Sequence, residues 1–193
     1  MASAEPTDAS RRTADLVLDR SPTLGAARLV CVDGPSGSGK TTLAAGVARE
    51  LESRGCTVAV VHMDDLYDGW GGLLGSGPLL HEQLLAPLSE GRSGRYRRYD
   101  WHREERAESR TVPVTDVLVV EGVGSWRREH AGLVTVLVWV EAPAAVRLER
   151  AVRRDGSHLA PHLLRWQRDE DRLHADEGTR DHADLVVTND DAR

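Results

Sequence analysis

Residues 28–42 read RLVCVDGPSGSGKTT, and their order decides the fold. The run from Arg28 to Asp33 is short, apolar and continuous, as a strand buried on both faces must be. It stops at Gly34 and Pro35. The residues Gly34, Pro35, Ser36, Gly37, Ser38, Gly39, Lys40 and Thr41 then complete the pattern G-x-x-x-x-G-K-[ST], with Thr42 behind it. Glycines at these places let the backbone come close to an anion and adopt positive φ, so that its N–H groups wrap a polyphosphate. A helix starting directly behind adds the partial positive charge of its N-terminus. Residues 39–54 supply that helix: Leu43, Val47 and Leu51 share one face, Ala44 and Ala48 flank them, and Gly55 is placed to cap the end. Lys40 can then reach the outer phosphates, and the Thr41 hydroxyl can join the shell of a Mg²⁺ ion. Of 25 basic residues, Lys40 is the single lysine. A guanidinium fork would serve poorly in that place.

Working outward, further apolar runs at 57–62, 116–121, 133–140 and 184–188 predict four more strands. Helices are predicted from Pro143 to about residue 155, and over 161–175 with Leu163, Trp166 and Leu173 on one stripe. Residues 64–77 are glycine-rich and read as loop. Residues 79–90 have helical spacing but kink or restart at Pro87, and 92–110 show no clear period. Strands alternating with helix-sized connections predict an α/β fold, a three-layer P-loop NTPase architecture with a five-stranded parallel sheet, helices on both faces and a small lid. Residues 1–20 are expected to be a flexible N-terminal segment, with only a short lead-in helix at 13–20. Residues 21–193 then form a single domain whose lid spans roughly 153–180.

Composition narrows the function classes. A chain of 193 residues with 40% hydrophobic content suits one globular domain. A net charge of −6 argues against a general nucleic-acid or membrane coat. No apolar run is long enough to span a bilayer, and the first residues lack the apolar core of a secretory signal. Cys31 and Cys56 sit in apolar runs and read as buried thiols, so the expected address is the cytoplasm.

Ligands of parallel sheets bind at the carboxyl ends of the strands, and the remaining candidates lie there. Glu121 ends the run VLVVE, where a carboxylate can hold Mg²⁺ directly or through water. Asp64 and Asp65 follow the second strand; an acid there can accept a proton from an attacking hydroxyl or coordinate a metal. Tyr67 and Trp70 add rings able to flank a planar acceptor. Arg147, Arg150 and Arg154 are spaced i, i+3 and i+7, with Arg153 adjoining, a basic face suited to a lid that neutralises a transferring phosphoryl group. Seven arginines in 92–110 alternate with Tyr96, Tyr99 and Trp101. Because Glu104, Glu105 and Glu108 share the stretch, it reads as an acceptor-site loop rather than a nucleic-acid platform. His158 and His162 have no third partner, so no transition-metal site is assigned.

The series strand, GPSGSGKT, helix, then Asp64-Asp65-Leu66-Tyr67, Tyr99-Asp100, VLVVEG and the 147–155 segment resembles the uridine kinase-like branch of P-loop small-molecule kinases. The resemblance runs from about residue 28 to 188. It implies an ATP- and Mg²⁺-dependent transfer of the γ-phosphoryl group to a hydroxyl of a small polar metabolite, of nucleoside type. Asp64 would be the base that activates the hydroxyl, while Lys40, Arg150 and Arg154 stabilise charge and Arg153 joins the nucleotide side. Tyr67 would pack on the acceptor, and Tyr99 and Asp100 would lie on the acceptor side with Asp100 gripping its hydroxyls. Thr41 and Glu121 would stand near Mg²⁺. Two departures concern the acceptor. The family's aromatic-Asp-His-Pro-Asp string is here Tyr99-Asp100-Trp101-His102-Arg103, and 100–121 looks short for the hairpin that closes a pyrimidine pocket. The competing functions are a nucleoside monophosphate kinase, which would use the arginines of 95–98 on an acceptor phosphate, and a regulatory P-loop ATPase. A homodimer is compatible with all three.

Overall fold

The five apolar runs pair side by side in one parallel sheet, and their composition explains why. The computed structural model describes residues 8–189. At its centre lies β1 (Arg28–Asp33), flanked by β5 (Val117–Glu121) and β6 (Val136–Glu141), with β2 (Val58–His62) and β7 (Leu185–Thr188) at the edges, in the order β2-β5-β1-β6-β7. Successive side chains of a strand point to opposite faces. Accordingly Leu29, Cys31, Leu118, Val120 and Leu137 enter the core on one side, and Val30, Val32, Val117, Val119, Val136 and Val138 enter the core on the other. Both faces are covered, so no alternation could appear in the sequence. Cys31 is buried as expected, whereas Cys56 is only half-buried.

Two helices pack on the valine face. The first, α1 (Asp8–Asp19), corrects the expected flexible segment: Ala14 and Val17 are wholly buried, and the helix packs along α2 (Lys40–Ser53). The two come so close that a Cβ at Gly46 would stand 2.4 Å from Ser10 Oγ. Residues 1–7 of the same expectation lie outside the described residues. At the far end of α2, Gly55 takes the left-handed conformation, and the Cys56 N–H bonds back to the Leu51 carbonyl.

The other face carries the segment between β2 and β5. Helix α3 (Ser76–Leu80) continues through a π-helical turn (His81–Leu85) into α4 (Ala86–Ser89). The expected break at Pro87 is therefore replaced by a widened turn upstream. A proline lacks an N–H and crowds the carbonyl four residues before it, and a π-turn relieves both problems without ending the helix. Next comes an element that periodicity did not reveal, an antiparallel hairpin of β3 (Gly94–Asp100) and β4 (Glu105–Val112). A hairpin is thus present, but it begins well before Asp100. Between β6 and β7 run α5 (Ala144–Asp155) and α6 (Ala160–Glu177), and α6 reaches Ser36 just beyond β1 through Glu170 and Trp166. No helix among the described residues is long and apolar enough to cross a membrane.

Candidate active site

The phosphate loop leaves β1 in a conformation that only glycine adopts readily. Gly34, Gly37 and Gly39 have φ of 139°, 78° and 102°, and a Cβ on Gly34 would fall 2.1 Å from the Val140 carbonyl oxygen. Asp33 sets the loop's start. Its buried carboxylate accepts the N–H groups of Gly34, Gly124 and Trp126 and a bond from His174 Nε2 at 3.1 Å. Burial pushes this carboxyl up, but His174 and the backbone donors outweigh that and hold it below the ordinary aspartate value. Lys40 is nearly buried and donates from Nζ to the Pro35 carbonyl at 3.0 Å, curling over the loop. The N–H groups of Gly37 and Gly39 meet no protein acceptor among the described residues. With the first amides of α2, which a helix cannot satisfy itself, they form an anion cradle.

Glu121 lies one strand away, paired in register with Val32. Its Oε1 accepts the Thr41 hydroxyl at 3.1 Å and meets His62 Nδ1 at 2.6 Å. That bond, opposed by partial burial, raises the His62 imidazole above its ordinary value. The Thr41 hydroxyl and the Glu121 carboxylate are hard oxygen donors, and such a pair beside a phosphate cradle fits Mg²⁺, which prefers a few protein oxygens plus phosphates and water.

The twin aspartates after β2 part company. Asp65 accepts from the Tyr96 hydroxyl at 3.0 Å and from Arg110 at 3.2 Å, so it ties the hairpin to the body. Asp64 carries no side-chain hydrogen bond or ion pair among the described residues and lines the cleft opposite Lys40 and Thr41. Asp64 is exposed to the solvent of the cleft, with protein close around it. That crowding, aided by the Glu121 charge, raises its carboxyl, while Lys40, Arg154 and His62 pull the other way.

The arginines of α5 divide likewise. Arg150 and Arg154 line the cleft, and Arg150 donates to the Gly37 carbonyl at 3.2 Å. Arg153 points away, exposed and paired with Glu149 at 2.6 Å, so its assignment to the nucleotide side is corrected. Arg147 pairs at 3.0 Å with the wholly buried Glu170 of α6, whose other oxygen accepts the Ser36 N–H at 2.9 Å. Trp166 Nε1 donates to Ser36 Oγ beside it. Breaking such a buried pair costs on the order of 3–5 kcal/mol, so α6 is fastened to the phosphate loop.

Lys40, Thr41, Asp64, Glu121, Arg150 and Arg154 open onto one cleft of about 730 Å³. A second hollow of about 630 Å³, beside Leu74, Pro78 and Arg128, holds none of them. One wall of the main cleft is aromatic. Trp70 and Trp101 pack edge to face at 5.2 Å, His162 stacks on Trp70, and Trp101 Nε1 donates to the Asp64 carbonyl. Tyr67 stands behind them with no exposed surface, its hydroxyl bonded to the Val123 carbonyl, so it supports the wall rather than offering a face. Asp100 and Tyr99 are not part of the lining. Asp100 accepts the N–H groups of His102 and Arg103 and pairs with Arg98, closing the hairpin turn. Tyr99 packs against Trp101 and under Arg106. These two placements correct the acceptor contacts implied by resemblance.

Four contributors escaped the sequence reading: His62, Glu170, Trp166 as a loop ligand, and Asn189. Asn189 Nδ2 donates to the Ser38 carbonyl at 2.9 Å, against Gly39. It is the only asparagine in the chain, so the argument that singled out the sole lysine could have singled it out too. The others carried no such signal.

A protein-family model described as Phosphoribulokinase / Uridine kinase family matches residues 78–158, from α3 into the turn after α5. The chain thus resembles the family already suggested by its motifs. No curated protein matches it by sequence. Among solved structures, a possible uridine kinase from Bacillus stearothermophilus superposes with a TM-score of 0.72 at 23% identity, covering 93% of this chain and 97% of that one. A candidate fructose transport system kinase from Silicibacter sp. TM1040 gives 0.66 at 25% identity, over 92% and 98%. D-glycerate 3-kinase from Cryptococcus neoformans gives 0.57 at 17%, over 86% and 88%. The chain has the α/β fold of P-loop kinases of small molecules.

Proposed function

We propose that the protein is an ATP- and Mg²⁺-dependent kinase that transfers the γ-phosphoryl group to a hydroxyl of a small polar metabolite, nucleoside-like in shape. The observation that carries this reading is the convergence of Lys40, Thr41, Glu121 and Asp64 on one cleft with an aromatic acceptor wall. The loop amides and Lys40 hold the triphosphate, while Thr41 and Glu121 face the metal. Bound Mg²⁺ supplies neutralisation of the phosphate charge. Asp64, kept free by the diversion of Asp65 to the hairpin, takes the proton of the attacking hydroxyl. Its raised affinity for a proton suits that task. Arg150 and Arg154 stabilise charge on the transferred group, and residues 153–180 serve as the lid, with Leu159 and Leu163 helping to exclude water.

A monophosphate acceptor would call for free arginines on the acceptor side. None of the hairpin's arginines lines the cleft, and Arg97 and Arg98 are engaged within the hairpin by the Ala107 carbonyl and by Glu108. ATP consumption against a panel of nucleosides, nucleoside monophosphates, sugars and vitamins tests the proposal. Acceptor-dependent turnover with a hydroxyl compound is expected. Hydrolysis indifferent to every acceptor would favour a regulatory ATPase.

A further inference from the structure

Charge is distributed unevenly along the cleft. Lys40, Arg150 and Arg154 stand at the phosphate end, whereas Trp70, Trp101, His102 and Glu104 line the hairpin side with no arginine. Glu104 is unusual in its surroundings. The neighbouring acids of the hairpin are each matched with an arginine: Asp100 with Arg98, Glu105 with Arg103 and Glu108 with both Arg98 and Arg110. Glu104 has no hydrogen bond or ion pair among the described residues, in a stretch containing seven arginines. It is also the one non-glycine residue among them with positive φ, 54°. The four-residue turn between Asp100 and Glu105 sets that conformation and fixes where the Glu104 side chain leaves the backbone.

The aromatic surface beside it has little to offer a neutral polyol. The indole N–H of Trp101 is spent on the Asp64 carbonyl and that of Trp166 on Ser36. A tryptophan has no other polar atom, so what Trp101 presents is its π-face. Electron-rich faces at 69° to each other, beside an unpaired carboxylate, are the chemistry that binds a cation.

We infer that the acceptor carries a cationic group, received on the faces of Trp70 and Trp101 and neutralised by Glu104, which makes Glu104 a specificity-determining residue. This rests on the kinase reading for the word acceptor, but the site is testable without turnover. Choline and 3,3-dimethylbutan-1-ol share a hydroxyl and a shape and differ by one charge. Their binding to the full chain is followed by tryptophan fluorescence, with and without Mg²⁺ and a non-hydrolysable ATP analogue. Choline is expected to bind at least ~10-fold more tightly than its neutral isostere, in the range of a desolvated cation–π contact plus an ion pair. Glu104→Gln should reduce that ratio to about 3-fold or less. Glu104→Gly, which suits positive φ and so guards against a folding defect, should do the same. Equal binding of the two probes, binding of neither, or a ratio untouched by both variants overturns the inference. A charge-dependent ratio together with no ATP-analogue binding would instead keep the cation site and refute the kinase.

Discussion

Asp33 and Asp100 perform the same task in opposite settings, and the contrast separates the two sides of the cleft. Each gathers backbone N–H groups and a basic partner, and each carboxyl is held below its ordinary value. Asp33 is wholly buried beneath the phosphate loop, so its donors have no water to replace it. Asp100 closes an exposed turn whose N–H groups water can satisfy. The phosphate-loop side of the molecule is therefore built from buried, mutually dependent bonds. The hairpin side is laced with surface ion pairs that water screens, each of little weight. It is anchored by the buried Tyr96 and by the bonds to Asp65.

The sharpest way to break this comparison is at the junction of the two sides. Asp64→Asn should lower phosphotransfer by about 10²–10⁴-fold while ATP affinity changes little; turnover like that of the wild type removes Asp64 as base. In the unaltered protein, kcat/KM should rise with pH through an apparent pKa above the ordinary aspartate value, because the ionised form accepts the proton and the site raises that carboxyl. On the phosphate-loop side, Lys40→Ala should weaken ATP binding by at least about 10²-fold, as befits loss of a charged donor, readable by calorimetric titration. Asp33→Ala should cost roughly 3–5 kcal/mol of stability by leaving several buried N–H groups without an acceptor. Asp100→Ala should leave stability almost unchanged, since water can take over its bonds. Equal losses in denaturant melts would erase the distinction. The smallest effect separates two arginines three residues apart: Arg150→Ala should slow turnover by about 10-fold or more, and Arg153→Ala should stay within about 2-fold.

The same contrast explains what could be read from the sequence. The five parallel strands were legible because burial on both faces writes a continuous apolar run, as in VLVVE and LVCV. The phosphate loop was legible because positive φ demands glycine. The hairpin was hidden because a bulge between Arg97 and Tyr99 shifts the register, so that Tyr96 and Tyr99, three residues apart, are both buried and alternation is lost. The helix α1 was legible only from residue 13 because it buries just Ser10, Thr13, Ala14 and Val17, a stripe too narrow and polar to mark its first turn. Glu170 looked like a solvated charge on α6. Only the approach of Arg147 and the Ser36 N–H, 23 and 134 residues away, makes its burial tolerable. Contacts over that separation leave no local mark.

The most direct test of the account is a crystal structure with Mg²⁺ and a non-hydrolysable ATP analogue. The triphosphate should lie on the amides of residues 37–42 beneath Lys40. The metal should be held from Thr41 and Glu121, and the Asp64 carboxylate should face the terminal phosphate across a gap wide enough for one hydroxyl. A nucleotide seated elsewhere, or Asp64 turned out of the cleft with the analogue bound, would contradict it.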